Sequence, residues 1–318
     1  MPLQIFVERR CRCTAMSKVK VFTQSQPTPF HLPQIRWLVL VMALLSIGSG
    51  VAVGILDGVS VLPIPVEDPV WIPVFYLIMF GGCVAWYVKR YQPRGFQVRS
   101  LMGPSPSPWP WKAMVGIWFT MFLFSLGAFQ VSYGALSWVA PDLVESTLNQ
   151  SLFLGGEGTA FPLLYNVLMV ILLVVAAPTL EEFIFRGVLL HRWATRWGLP
   201  SAVVGTSLIF GIFHANWVGL SMFGLVMALL YLRSRSLGLV MGVHALNNGI
   251  AAGLEVAYSW VPDQGPVSLA DFQSGWWIGL LMMGVSAPFL WLFIRRNWQF
   301  TQQPLPYSVN VQVSRQEE

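Results

Sequence analysis

Charge is what this 318-residue chain has least of. Asp, Glu, Lys and Arg together make up 10% of it, against about 25% in ordinary soluble domains. That scarcity excludes a soluble globular domain. With 55% hydrophobic residues and a mean hydropathy of +0.61, the chain reads as a polytopic membrane protein. Cysteine is nearly absent as well. Cys11, Cys13 and Cys83 cannot build a disulfide framework, and the Cys11-x-Cys13 pair in a basic tail reads as ordinary tail rather than an acylation or metal motif. The first 35 residues lack the apolar core of a secretory signal peptide. They are expected to be a basic cytosolic arm (1–36), with an organelle transit peptide and a start at Met16 as the other readings. No basic face on a soluble domain is apparent, so the net charge of +5 does not call for nucleic acid.

What the chain has is apolar sequence in continuous runs. Continuity rather than alternation selects helices over a barrel, because a spanning segment must satisfy its own backbone in lipid. Eight segments are expected, at roughly 37–56, 69–88, 113–139, 161–180, 200–215, 217–232, 237–258 and 275–294. The fold class is therefore all-α, about eight transmembrane helices in one bundle (37–298). The fifth and sixth segments are short, and Asn216 and Gly219 mark a tight turn between them, so the pair reads as a hairpin that crosses incompletely. Residues 90–111 are a Pro/Ser-rich linker. Residues 299–318 form a polar tail expected to lack fixed structure. No internal repeat and no second domain is apparent.

Charge sign assigns the topology. With the N-terminus in the cytosol, all 19 Lys and Arg fall on inner segments, and the outer loops hold only acids, among them Asp57, Glu67, Asp68, Asp142 and Asp263. This follows the positive-inside rule and places both termini in the cytosol. Many of the 15 tryptophans, including Trp71, Trp86, Trp138, Trp197, Trp260, Trp276 and Trp277, lie near expected span ends, where interfacial anchoring is the ordinary reading.

Against this background the intramembrane polar residues stand out. Glu181 and Glu182 lie side by side in one of the most apolar stretches, where each charge near the bilayer centre costs about 2.5–3.5 kcal/mol. Glu182 and Arg186 are i,i+4 neighbours on a helix and can pair. Glu181 points about 100° away and is left free to act on something else. His214 ends Phe210-Gly-Ile-Phe-His214. His244 and Asn248 are again i,i+4 and share a face. Singly, such a His or Asn is more often a helix–helix hydrogen-bonding residue, and Glu182–Arg186 alone could be a structural ion pair. Their joint occurrence on three segments points to a site. Depth is the difficulty: His214 lies about 21 Å beyond Pro200, and His244 only about 10 Å into its span.

One Glu and two His suggest water activation. With a divalent metal such as zinc, Glu181, His214 and His244 would be ligands and Glu182 a base. Without metal, Glu181 and His214 would polarise water while His244 and Asn248 donate to an oxyanion. The sequence has neither the His-Glu-x-x-His of the common zinc proteases nor a Gly-x-Ser-x-Gly. The metal-free version is preferred, because Glu182 is committed to Arg186 and the oxyanion roles would otherwise be empty.

Glu181-Glu182-x-x-x-Arg186, Phe210-x-x-x-His214 and His244-x-x-x-Asn248, in this order, resemble the CAAX-protease and bacteriocin-processing (CPBP) family of intramembrane endopeptidases. The resemblance covers about 160–255 and does not reach the first three spans. It implies an eight-helix bundle with an intramembrane catalytic cavity open toward the cytosol, and hydrolysis of peptide bonds. It implies Glu181 and His214 as the water-activating pair, His244 and Asn248 as oxyanion stabilisers, and Glu182, Arg186 and Phe210 as residues that organise the site. The expected partners are the bilayer and a peptide or protein substrate. The family's eukaryotic branch acts on prenylated C-termini, but nothing in this sequence shows a lipid-modified substrate. Two other classes compete: a non-enzymatic immunity or scaffold protein on the same fold, and a proton-coupled transporter. A transporter is expected to show matching halves with broken helices, whereas here the polar residues all lie in the second half.

Overall fold

The computed structural model describes residues 29–59, 63–261 and 265–317. Cys11, Cys13, Met16 and Asp263 lie outside the described residues. Every regular element among the described residues is a helix. Seven are long and apolar enough to cross a membrane: α1 (Ile35–Gly58), α2 (Trp71–Arg94), α3 (Trp111–Leu136), α4 (Pro162–Trp197), α6 (Trp217–Ser234), α7 (Leu237–Ser259) and α8 (Trp276–Gln302). Between α4 and α6 lies α5 (Leu199–Ile212), apolar but only 14 residues long. The fifth segment is thus short as expected, whereas the sixth reaches a spanning length. On the outside of the bundle, large apolar side chains such as Val39, Leu44, Ile47 and Phe119 are more than half exposed, the pattern of a protein whose solvent is lipid.

The helix that carries the two glutamates does not end near residue 180. It runs 36 residues to Trp197, about 54 Å, and so outreaches a hydrocarbon core of about 30 Å. Its last turns, Leu190–Trp197, hold Arg192 and Arg196, the composition of a segment emerging into water. Gly198, at φ 82°, both closes α4 and opens α5, with Pro200 in the first turn of α5. Glu181 lies about 25 Å back from this turn along α4, and His214 about 24 Å along α5. Two similar lengths measured from one reversal bring the two residues level, which removes the depth conflict for this pair.

Small residues allow the helices to approach closely, as membrane bundles require. A Cβ on Gly211 of α5 would stand 2.0 Å from Ser221 Oγ and 2.4 Å from the Trp217 carbonyl of α6. Gly127 of α3 and Gly279 of α8 meet the same way, each virtual Cβ within 2.9 Å of the other's carbonyl. Asn216 caps α6 by accepting from Gly219 N at 3.1 Å, and its amide donates to Ser125 of α3. The expected turn is therefore present and is tied to a third helix.

The C-terminal segment departs from expectation. It is a helix, α9 (Pro306–Glu317), docked on the linker before α3. Asn310 donates to the carbonyls of Ser100 and Arg235, and the Tyr307 hydroxyl donates to Gly95 O and accepts from Gln97 N. Polar composition alone suggested disorder. The missed signal is that the linker presents backbone carbonyls for which Tyr307 and Asn310 are buried partners.

Candidate active site

The site is built where α4 is least regular. Two π turns, Leu172–Ala176 and Phe183–Leu189, bracket the short α-helical stretch Ala177–Glu182. Such insertions change the faces that successive side chains present and recur at functional sites. The first has a definite consequence. Ala177 N–H already serves Leu172 O five residues back. The next carbonyl, Leu173 O, would take its donor from residue 178, which is proline and has none. The Asn248 amide of α7 fills that vacancy, donating to Leu173 O at 2.9 Å. Asn248 is thus half committed to the backbone, with a second N–H in hand.

Glu182 is fully buried and is the hub of the cluster. Its Oε1 accepts from Arg186 Nη1 at 3.0 Å and from His244 Nδ1 at 2.9 Å. Arg186, itself 1% exposed, donates through Nη2 to Gly224 O of α6 at 3.1 Å and lies 4.5 Å from the centroid of the Phe210 ring. Phe210 is fully buried and also touches His214, Phe223 and His244. One ion pair therefore clamps α4, α5, α6 and α7 together. Its worth lies mainly in what its rupture would expose, since an unpaired buried charge costs about 3–5 kcal/mol.

Glu181 faces the other way, as the helical geometry required. Its Oε1 accepts from the Tyr76 hydroxyl of α2 at 2.5 Å. Its Oε2 is buried and has no hydrogen-bond partner. That orphaned oxygen lies 4.0 Å from His214 Nε2 and 3.9 Å from His244 Nε2. Both imidazoles have their other nitrogen engaged: His214 Nδ1 at 2.6 Å from Phe210 O, and His244 Nδ1 on Glu182. A carbonyl can only accept, so His214 Nδ1 carries a hydrogen, and Nε2 is the ring nitrogen turned toward Glu181. His214 lies in the turn after α5 rather than within a span, and a third of its side chain is exposed. The site therefore opens to its surroundings at His214, while His244 is closed off at 3% exposure.

The donor chemistry would suit zinc, since metal-bound histidines normally give their second N–H to a carboxylate or carbonyl. The spacing does not. Ligands around tetrahedral zinc stand about 3.4 Å apart, and Glu181 Oε2 is about half an ångström farther than that from each imidazole Nε2. No group of three or more His, Cys, Asp and Glu is placed to hold a metal ion among the described residues. A separation near 4 Å instead suits one water at ordinary hydrogen-bond length from both Glu181 Oε2 and His214 Nε2.

Of the seven residues singled out in the sequence, Glu181, Glu182, Arg186, Phe210, His214 and His244 touch one another here, and Asn248 stands one turn from His244 on α7 with its amide on Leu173 O. Two others were missed. Tyr76 comes from α2, in the half of the chain read as lacking polar site residues. One hydroxyl in an aromatic-rich span gives no signal of its own. His191 is fully buried, with Nδ1 on Arg186 O at 2.9 Å and its ring stacked on Phe30. Its neighbour Arg192 made it read as interfacial.

Residues 162–250 match the family model described as Type II CAAX prenyl endopeptidase Rce1-like. That segment contains every site residue named above except Tyr76. No curated protein and no solved structure matches the chain.

Proposed function

Through residues 162–250 the chain belongs to the CAAX-protease and bacteriocin-processing family, and on that premise we propose that it is a metal-free intramembrane endopeptidase whose attacking water is held by Glu181 and His214. It is an integral multi-pass membrane protein, and both termini are assigned to the cytosol by the distribution of Lys and Arg. The observation that carries the mechanism is the unpartnered Oε2 of Glu181 set between two imidazole Nε2 atoms.

A water in that gap gives one hydrogen to Glu181 Oε2 and one to His214 Nε2. As its oxygen attacks the scissile carbonyl carbon, Glu181 takes the proton, and the carbonyl π pair moves onto oxygen. The oxyanion is met by His244 donating from Nε2, its ring held through Nδ1 on Glu182, and by the free N–H of Asn248. Collapse of the intermediate breaks the C–N bond, and the amine leaves with the proton from Glu181. The substrate is a peptide or protein segment at the membrane, entering on the side where His214 is exposed.

The test uses a membrane-tethered peptide reporter in proteoliposomes. Glu181→Gln and His214→Ala are expected to insert and fold but to lose cleavage by three orders of magnitude or more. Cleavage by wild type is expected to survive exhaustive chelation. Retained cleavage in Glu181→Gln would sink the mechanism, and stoichiometric zinc whose removal and return switches activity off and on would replace it with a metal-dependent one.

A further inference from the structure

Where α4 ends and α1 begins, the molecule holds a cavity of about 480 Å³, lined by Gln34 and Arg36 of the α1 terminus and by Arg192, Trp193, Arg196 and Trp197 of α4. None of these residues takes part in the catalytic cluster. Three guanidinium groups share the cavity, and among the described residues no acid lines it. Among the described residues none of the three has a carboxylate within ion-pair distance, the ion pairs there all belonging to Glu181 and Glu182. Arg192 reaches only neutral oxygens, Phe30 O at 3.3 Å and Thr195 Oγ1 at 3.5 Å. The α1 terminus adds to the positive field: Gln34 provides no side-chain cap, and the first turn holds no acid. Its free N–H groups and the positive end of the helix dipole therefore face the same space as Arg36. Trp193 Nε1–H is a further buried donor with no partner.

So much unbalanced positive charge is self-repelling. It becomes favourable when a compact anion with several acceptor oxygens enters, and arginine's planar fork suits phosphate in particular. Two observations identify what carries the phosphate. Trp193 and Trp197 stand 5.0 Å apart in a T arrangement, with the Arg196 guanidinium 5.5 Å from the Trp197 ring, the residue pairing of a membrane–water interface. From the mouth of the cavity, α1 presents Trp37, Leu40, Leu44 and Ile47 outward at helical spacing, each at least 43% exposed. We propose that this cavity binds the phosphate headgroup of an anionic phospholipid, with an acyl chain lying along that stripe of α1.

The experiment reads the thermal midpoint of the full-length protein in detergent, with phosphatidylglycerol, phosphatidylcholine or inorganic phosphate added. Phosphatidylglycerol is expected to raise Tm by several degrees over phosphatidylcholine at equal mole ratio. The Arg36→Gln/Arg196→Gln variant should lose that increment. The Arg295→Gln/Arg296→Gln variant, with the same charge change at the end of α8, should keep it. Should the first pair fold poorly, Arg36→Gln alone alters one exposed side chain at a helix end and tests the same point. Equal loss in both double variants would mean general attraction to a charged membrane and would overturn the proposal, as would no difference between the two lipids. An equal rise with millimolar inorganic phosphate would identify a soluble anion instead. Because the readout is Tm and not cleavage, failure here is distinguishable from failure of the protease reading.

Discussion

Tyr76 donates a 2.5 Å hydrogen bond to Oε1 of Glu181, linking α2 to the glutamate that faces the two imidazoles. Glu181 has two oxygens with different tasks: Oε1 is anchored by the hydroxyl, and Oε2 is left open toward His214 and His244. Removing the anchor should let the carboxylate turn about its last torsion and lose its aim. Tyr76→Phe keeps the ring, which stacks 4.3 Å from Phe80, and removes only the hydroxyl. A hydrogen bond to a charged group contributes about 1.5–3 kcal/mol to stability, so the thermal midpoint should fall by a few degrees, and cleavage by the folded protein should fall about tenfold to a hundredfold if the same amount is lost in the transition state. Unchanged cleavage of the tethered reporter would remove Tyr76 from the site.

The Glu182–Arg186 pair should behave in the opposite manner, dominating stability. Arg186→Gln removes the guanidinium from a fully buried carboxylate that keeps only His244, the bond to Gly224 O and the contact with Phe210. The expected cost is about 3–5 kcal/mol, read as unfolding at lower denaturant or loss of detergent-stable protein. Arg186→Lys should recover little, because an ammonium lacks the fork that reaches Glu182 and Gly224 together. Full stability in either variant would show that the pair is dispensable.

Much of this cluster was legible in the sequence because charge is so costly in lipid that few such residues occur without a purpose. Glu181, Glu182 and Arg186 could be sorted by helical angle alone, and the structure gives them the partners which that angle allowed. What spacing could not supply was depth and departures from ideal helix. The apolar run before Glu181 looked like a whole span, so the sequence did not fix where the helix carrying Glu181 and Arg186 leaves the membrane, and its continuation to Trp197 was not seen. The π turns leave no mark in composition. Tyr76 was invisible for a different reason: its partner is 105 residues away, and long-range pairing has no periodicity. The tail helix was missed because polar composition describes solvation and not the carbonyls waiting on the linker.

Outside the spans, Asp68 supplies a pH-dependent tie. Its carboxylate accepts from Val70 N, Thr159 Oγ1 and Ala160 N, joining the loop before α2 to the loop before α4. Burial acts to raise its pKa, but the three hydrogen bonds outweigh that and hold it below the ordinary aspartate value. A lowered folded-state pKa stabilises the fold above the unfolded value, and the contribution disappears as pH falls through the folded one. The tie should therefore be constant from neutral pH down to about pH 4 and weaken only below it. Asp68→Asn should abolish that acid-side dependence. Hydrogen exchange at Val70 and Ala160 across the pH range is the measurement, and equal protection in the variant would remove the role.

The sharpest structural test concerns the carbonyl that proline leaves without a donor. If Asn248 serves Leu173 O because residue 178 has no N–H, the two positions must be energetically coupled. Asn248→Ala should cost about 1–3 kcal/mol for an unsatisfied buried carbonyl, along with any loss of oxyanion stabilisation. Pro178→Ala returns an N–H at the position from which a π turn would satisfy Leu173 O. In that background Asn248→Ala should cost at least 1 kcal/mol less, a coupling well within what double-mutant cycles resolve. Cleavage should separate the two roles of Asn248. If its second N–H meets the oxyanion, the Pro178→Ala/Asn248→Ala protein will be stable yet still slow. A restored rate would show that Asn248 acts only through the helix it props, and purely additive stabilities would show that Leu173 O finds its donor elsewhere.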